Sequence, residues 1–132
     1  MVEATKILVV DDDADARCFV QAMLEAAGDF EFIEAADGDE GIEKAKANSP
    51  DLIILDVQMP RKDGFSTFKD LRSDETTAAI PVIMLTGVGD RTGISFSAGD
   101  MGDFLGHKPE AYLEKPIDPA ILQKTVKKVL GD

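Results

Sequence analysis

The sequence has 132 residues, 44% of them hydrophobic and 30% charged, which is enough for a single domain with a substantial core. Because 26 acidic side chains face 14 basic ones, the net charge of −12 repels nucleic acid and anionic membranes, so we expect neither as a direct partner. No apolar run approaches the roughly 20 residues of a membrane span. The start lacks a secretion signal and Cys18 is alone, so we expect a reducing, cytoplasmic setting.

Predicted strands and helices alternate along the chain. Short aliphatic runs predict strands at residues 7–10, 30–36, 52–56, 81–86 and 111–114. Apolar residues at helical spacing mark four helices with these inward side chains: Ala16, Phe19, Val20, Met23, Leu24 and Ala27; Ile42 and Ala45; Phe65, Phe68 and Leu71; Ile121, Leu122, Val126 and Val129. We expect Asp13 to cap the first helix, and Asp118, followed by Pro119, to cap the last. This alternation predicts an α/β fold, a doubly wound parallel sheet with helices on both faces.

The stretch from Gly87 to Gly106 interrupts this regularity because it is rich in glycine. A helix is expected there between the last two strands, but glycine costs roughly 1 kcal/mol per helical position relative to alanine. We therefore expect residues 88–108 to form a loop or a short, poorly anchored helix.

Carboxylates stand at the ends of two apolar strands. Asp11 and Asp12 follow the first strand, and Asp56 ends the third. If these strands are parallel neighbours, the three side chains converge at one edge of the sheet, where open α/β sheets bind ligands. Ionised carboxylates this close repel one another, and a hard divalent cation such as Mg²⁺ would relieve the repulsion.

The same edge offers groups suited to phosphoryl transfer. Asp56 is a candidate nucleophile because a carboxylate oxygen can attack phosphorus and form an acyl phosphate. Thr86, at the end of the fourth strand, could donate a hydrogen bond to a phosphoryl oxygen. Lys115, after the fifth strand, could place an ammonium on another, and such charge stabilisation is the main part of this catalysis.

Four short motifs follow one another along the chain: Val9-Val10-Asp11-Asp12; Leu55-Asp56 with Met59-Pro60 and Asp63-Gly64; Leu85-Thr86-Gly87; and Glu114-Lys115-Pro116. Their joint order and spacing resemble the receiver domain of bacterial two-component response regulators, over nearly all of residues 1–132. The resemblance implies the flavodoxin-like strand order 2-1-3-4-5. It also implies a signalling phosphoacceptor that catalyses only its own phosphorylation and dephosphorylation, and so is not an enzyme acting on other substrates. We expect no effector domain in the chain.

The resemblance assigns roles to individual residues. Asp56 would accept a phosphoryl group from a phosphohistidine on a sensor histidine kinase or phosphotransfer protein. Lys115 would contact that group, with the Lys115-Pro116 bond cis. Thr86 and Tyr112 would form a switch pair that acts on the family's fourth helix, fifth strand and fifth helix, where a downstream target protein binds or a phosphorylation-dependent homodimer forms. The implied Mg²⁺ ligands are Asp11, Asp12, Asp56 and the backbone carbonyl of Gln58.

Two other functions remain open at this point. The run Asp11-Asp12-Asp13 also resembles the start of haloacid-dehalogenase-type phosphatases, in which Asp11 would be the nucleophile and Asp13 the general acid. That family normally places Thr or Val where this chain has Asp15, and it usually adds a cap domain. The second alternative is a pseudo-receiver, an interaction module that never takes phosphate.

Overall fold

The computed structural model describes residues 5–57, 64–86 and 110–131. Its strands are β1 (Thr5–Val10), β2 (Phe30–Ala35), β3 (Leu52–Asp56), β4 (Val82–Thr86) and β5 (Ala111–Glu114). Its helices are α1 (Ala14–Glu25), α2 (Gly38–Asn48), α3 (Gly64–Ser73) and α4 (Pro119–Val129). All strand pairs are parallel, and the order is β2-β1-β3-β4-β5. The predicted doubly wound α/β fold and its strand order are confirmed. The expectations for residues 88–108 and for Gln58 lie outside the described residues.

The sheet carries a separate apolar core on each face. Alternate side chains of a strand point to opposite faces, so β1, β3 and β4 each contribute to both cores. On one face they pack against Val20 and Leu24 of α1 and Leu122 and Val126 of α4. On the other they pack against α2 and α3, through Ala45, Phe68 and Leu71 among others. Every residue of β3 and β4 is buried, as expected for central strands covered on both faces.

The helices begin where capping side chains satisfy their free N–H groups. The carboxylate of Asp13 accepts a hydrogen bond from the Asp15 N–H at 2.9 Å, and Asp118 accepts from Ala120 at 2.8 Å. Both predicted caps are confirmed, including Pro119 in the first turn of α4. No helix within the described ranges combines the length and hydropathy of a membrane span.

Two side chains predicted to face the core lie on the surface. Phe19 on α1 is 66% exposed and Ile121 on α4 is 53% exposed. Both lie beside a buried residue in sequence, and neighbours in sequence are about 100° apart around a helix. The buried stripe is narrower than predicted, because Val20 and Leu24 alone are buried on α1, and Leu122 and Val126 alone on α4. Ala27 lies beyond the end of α1, which the structure places at Glu25.

Candidate functional site

Three carboxylates meet at the carboxyl edge of the sheet. Asp11 follows β1 and Asp56 ends β3, and these strands are parallel neighbours with Val10 opposite Leu55. One carboxylate oxygen each from Asp11, Asp12 and Asp56 lies within 4.8 Å of the others. Asp11 is 3% exposed and Asp56 is 2% exposed, whereas Asp12 is open to solvent. The predicted acidic cluster is therefore assembled, with two members buried and one at the surface.

Lys115 follows β5, two strands away from β3 in the sheet, and its side chain reaches back to the carboxylates. Its backbone N–H donates to the Thr86 carbonyl at 2.6 Å, which extends the β4–β5 ladder beyond β5. Its Nζ atom lies 2.8 Å from Asp56 Oδ1 and 3.5 Å from Asp11 Oδ2. The Lys115-Pro116 peptide is cis, as the resemblance implied.

Burial and charge compete within this cluster. Burial raises the pKa of the Asp11 carboxyl, while a hydrogen bond from the Asp13 N–H and the charge of Lys115 partly offset that rise. Burial alone would lower the pKa of Lys115, but hydrogen bonding and attraction to Asp56, with a further contribution from Asp11, outweigh it and raise the pKa. Lys115 is therefore a cation held firmly between two carboxylates.

The donor set fits a hard divalent cation. All three converging side chains are carboxylates, which Mg²⁺ and Ca²⁺ prefer as ligands. Lys115 supplies one positive charge against three negative ones when all three carboxylates are ionised, so the cluster keeps an excess of negative charge. The cluster could hold a metal ion, and the exposed carboxylate of Asp12 leaves it accessible from solvent. The fourth expected ligand, Gln58, lies outside the described ranges.

Thr86 and Tyr112 lie on the same face of the sheet. Tyr112 stands opposite Met84 in the β4–β5 pairing, and Thr86 is two residues beyond Met84, so the alternation of β4 places both on one side. Thr86 is buried at 6% exposure. The Tyr112 hydroxyl is buried without a hydrogen-bond partner among the described residues, and burial raises its pKa to about 12. Their coupling as a switch stays a prediction.

The side chain of Asp13 lies outside the cluster, although its backbone N–H donates to Asp11 Oδ1. Its carboxylate is exposed and occupied in capping α1, where it accepts from the Asp15 N–H. The phosphatase alternative required this side chain as a general acid next to Asp11. The observed role as a helix cap favours the interpretation in which Asp56, not Asp11, is the reactive carboxylate.

Arg17 is a site neighbour that the sequence did not indicate. Its Nη1 donates to the Asp11 carbonyl oxygen at 2.6 Å, and its Nε donates to Glu34 Oε1 at 2.9 Å. The second bond joins residues 17 positions apart in sequence, on α1 and on β2. The sequence shows an arginine one helical turn after the acidic motif. Helical spacing alone does not show that its side chain contacts Asp11 and Glu34.

Comparison with known proteins agrees with this geometry. Residues 7–127 match the response regulator receiver domain family. Response regulator Rre1 of Synechocystis sp. is 35% identical over 131 residues, covering 99% of this chain and 54% of the relative. The transcriptional regulatory protein PhoP of Bacillus subtilis, which its name links to alkaline phosphatase synthesis, is 35% identical over 95% of this chain and 48% of its own. The chain thus spans about half the length of these curated relatives.

Solved structures show the same fold. A putative response regulator from Chloroflexus aurantiacus superposes with a TM-score of 0.82 at 32% identity, covering 98% of this chain and 100% of the other. The receiver domain of a Pseudomonas aeruginosa sensor histidine kinase, solved with a magnesium ion coordinated in its active site cleft, gives a TM-score of 0.80 at 26% identity, with coverage of 98% and 100%. The sequence match, the fold and the acidic edge together show that this chain belongs to the response regulator receiver domains, the phosphoacceptors of two-component systems.

Proposed function

We propose that Asp56 is the phosphoacceptor and that it takes its phosphoryl group from a phosphohistidine on a sensor histidine kinase or phosphotransfer protein. The observation that carries this proposal is the setting of the Asp56 carboxylate. It is 2% exposed, lies 2.8 Å from the Lys115 ammonium and shares its edge of the sheet with two further carboxylates. Within the described ranges these three carboxylates form the one such group, and Asp56 is the member whose oxygen lies nearest the Lys115 ammonium.

In the proposed reaction, a carboxylate oxygen of Asp56 attacks the phosphorus atom of the phosphohistidine. The phosphorus–nitrogen bond breaks, the imidazole keeps the electron pair and later takes up a proton, and a phosphorus–oxygen bond to Asp56 forms. Lys115, whose Nζ lies 2.8 Å from Asp56 Oδ1, would contact a phosphoryl oxygen after transfer, and the Thr86 hydroxyl would donate to another. The protein therefore contributes position and positive charge, which is what phosphoryl transfer mainly requires.

The residues proposed to hold Mg²⁺ are Asp11, Asp12, Asp56 and the backbone carbonyl of Gln58. Bound Mg²⁺ would supply positive charge to neutralise the transferring phosphoryl group. Lys115 cannot supply all of it, since one ammonium already lies between the carboxylates of Asp11 and Asp56.

The proposed output is a change at the surface around β5 and α4, passed on by Thr86 and Tyr112. Residues 1–132 would act as one receiver unit that binds a downstream target protein, or a second phosphorylated copy of itself, without contacting nucleic acid directly. If the phosphohistidine donor lies inside the cell, the protein would act in the cytoplasm. The strong negative charge supports protein partners over nucleic acid in this role.

The test is labelling with a small phosphodonor. Incubation with acetyl phosphate and Mg²⁺ should add one phosphoryl group by intact mass, and Asp56→Asn should abolish the addition. Asp13→Asn is the matched control, because asparagine caps a helix as well as aspartate and Asp13 lies outside the cluster. Full labelling of Asp56→Asn would contradict the proposal, and a wild-type protein that never takes phosphate would instead favour the pseudo-receiver. A structure with fluoroberyllate, a phosphoryl mimic, distinguishes the receiver from the phosphatase alternative. The mimic should attach to Asp56 in a receiver and to Asp11 in a phosphatase.

A further inference from the structure

The guanidinium of Arg17 contacts the acidic site through the backbone of Asp11. The side chain is 15% exposed, and it joins the backbone of Asp11 at the end of β1 to Glu34 on β2. A charged side chain held this closely between two strands restricts how the chain leaves β1. The chemistry proposed above gives Arg17 no role.

Each polar group of Asp11 is held by a different part of the molecule. Its N–H donates to the Ala35 carbonyl at 3.1 Å, as a continuation of the β1–β2 ladder. Its Oδ1 accepts from the Asp13 N–H at 2.9 Å, and its Oδ2 lies 3.5 Å from Lys115 Nζ. Its carbonyl oxygen accepts from Arg17 at 2.6 Å.

The contact with Arg17 differs from the other three because it acts on the peptide that joins Asp11 to Asp12. That peptide is planar, so the direction of the Asp11 carbonyl also fixes the direction in which Asp12 leaves the strand. The Asp12 carboxylate is exposed, and within the described part of the chain it makes no hydrogen bond or ion pair. Its place in the cluster therefore depends on the backbone that carries it.

We propose that Arg17 is a positioning residue for the metal site, which orients the Asp11–Asp12 peptide so that both carboxylates converge with Asp56. Glu34 holds the guanidinium in place from β2. This inference rests on the proposed function only in requiring that the cluster bind Mg²⁺. Groups that hold metal ligands in position typically change metal affinity by roughly 10- to 100-fold when they are removed.

A second arginine offers a matched control. Arg72 on α3 is 8% exposed, and like Arg17 it bridges one backbone carbonyl and one glutamate. Its Nη1 donates to the Ile80 carbonyl at 2.7 Å, and its Nη2 donates to Glu110 Oε1 at 3.0 Å. Ile80 and Glu110 precede β4 and β5, so this bridge lies at the opposite edge of the sheet from the site. Its loss should cost stability without affecting the acidic cluster.

The experiment is a calorimetric Mg²⁺ titration of the wild-type protein, Arg17→Ala, Arg17→Lys and Arg72→Ala, together with the melting temperature of each in EDTA. Arg17→Ala should weaken Mg²⁺ binding by roughly tenfold or more, and Arg17→Lys should restore part of the affinity because an ammonium can still reach the Asp11 carbonyl. Arg72→Ala should melt earlier and bind Mg²⁺ like the wild type. Arg17→Lys also keeps the test informative if Arg17→Ala does not fold.

A second measurement separates positioning from chemistry. Arg17→Ala should take phosphate from acetyl phosphate more slowly than the wild type at limiting Mg²⁺ and recover most of that loss at saturating Mg²⁺, because Asp56 and Lys115 are untouched. Wild-type Mg²⁺ affinity in Arg17→Ala, or an equal loss in Arg72→Ala, would overturn the positioning role alone. A wild-type protein that binds no Mg²⁺ would overturn both this inference and the metal site of the proposed function.

Discussion

Gly64 begins α3 directly against the backbone of Asp56. A methyl group on its α-carbon would lie 2.4 Å from the Asp56 carbonyl oxygen and 2.7 Å from the α-carbon of Val57. The Gly64 N–H also donates to the Val57 carbonyl at 2.8 Å, which keeps the two segments together. The backbone of Asp56 and Val57 therefore leaves no room for a side chain at position 64.

We predict that Gly64→Ala destabilises the fold by about 1–3 kcal/mol, because the added methyl group must displace backbone atoms. Urea unfolding measures this loss, and labelling with acetyl phosphate should slow because Asp56 moves with its backbone. Gly28→Ala is the control, since its methyl group would meet the Phe30 ring at 3.5 Å, an ordinary contact distance. Equal stability of the two variants would contradict the close approach of Gly64.

Tyr112 is the one tyrosine of a chain without tryptophan, so phenolate absorbance reports on it alone. Burial raises its pKa to about 12, and we expect the folded protein to titrate well above the value of about 10 found for free tyrosine. The folded state favours the neutral phenol, so stability should be intact below pH about 10 and fall as the pH rises towards 12. Guanidinium-unfolded protein supplies the reference titration.

The matched variant Tyr112→Phe should remove this alkaline loss of stability. At neutral pH it should be at least as stable as the wild type, because the lost hydroxyl has no hydrogen-bond partner in the described structure. A titration midpoint near pH 10 in the folded protein would show that the hydroxyl is open to solvent.

Removal of Asp12 should change the response to Mg²⁺. Millimolar Mg²⁺ should raise the melting temperature of the wild type, because a ligand that binds only the folded state stabilises it by mass action. Asp12→Ala should largely erase that rise, and in EDTA it should melt at the same temperature or higher, since one repelling charge is gone. Asp29→Ala, which removes a loop carboxylate outside the cluster, should keep the full response. Identical Mg²⁺ responses of both variants would argue against a shared metal site.

Lys115→Met should have opposite effects on metal binding and on phosphorylation. The ammonium lies 2.8 Å from Asp56 and competes with a cation for the same carboxylates, so its removal should tighten Mg²⁺ binding several-fold. Phosphorylation should nevertheless slow, because the positive charge proposed to contact the phosphoryl group is lost. Lys124→Met, an exposed change on α4, controls for the loss of charge. Weaker Mg²⁺ binding in Lys115→Met would show that the lysine organises the site and does not compete for it.

The sheet could be predicted from the sequence because its strands are local features. The runs that end at Asp11 and Asp56 are short and apolar throughout, which is typical of a strand buried on both faces. Once these strands are adjacent, the convergence of their terminal carboxylates follows from parallel geometry. Thr86 and Lys115 reach the same edge for the same reason.

The side chains at the margins of the helices could not be predicted in this way. Helical spacing gives the direction of the buried stripe but not its width, which depends on how closely the neighbouring helix approaches. Phe19 and Ile121 fall just outside that width, and both are exposed. Arg17 and Gly64 act through contacts with β2 and with the backbone of β3, and no local pattern records such distant partners.

The hydrogen bonds between β4 and β5 hold Lys115 in place independently of the sequence that connects the two strands. Glu110 binds both backbone groups of Val82, through its own N–H at 2.8 Å and its Oε1 at 2.7 Å, and the Lys115 N–H binds the Thr86 carbonyl. The chain therefore leaves and rejoins the sheet at anchored points, whatever connects them. Closing a longer connection costs only about 0.6 kcal/mol per doubling of its length. A change in the length or sequence of that connection should therefore leave Lys115 in its position beside Asp56.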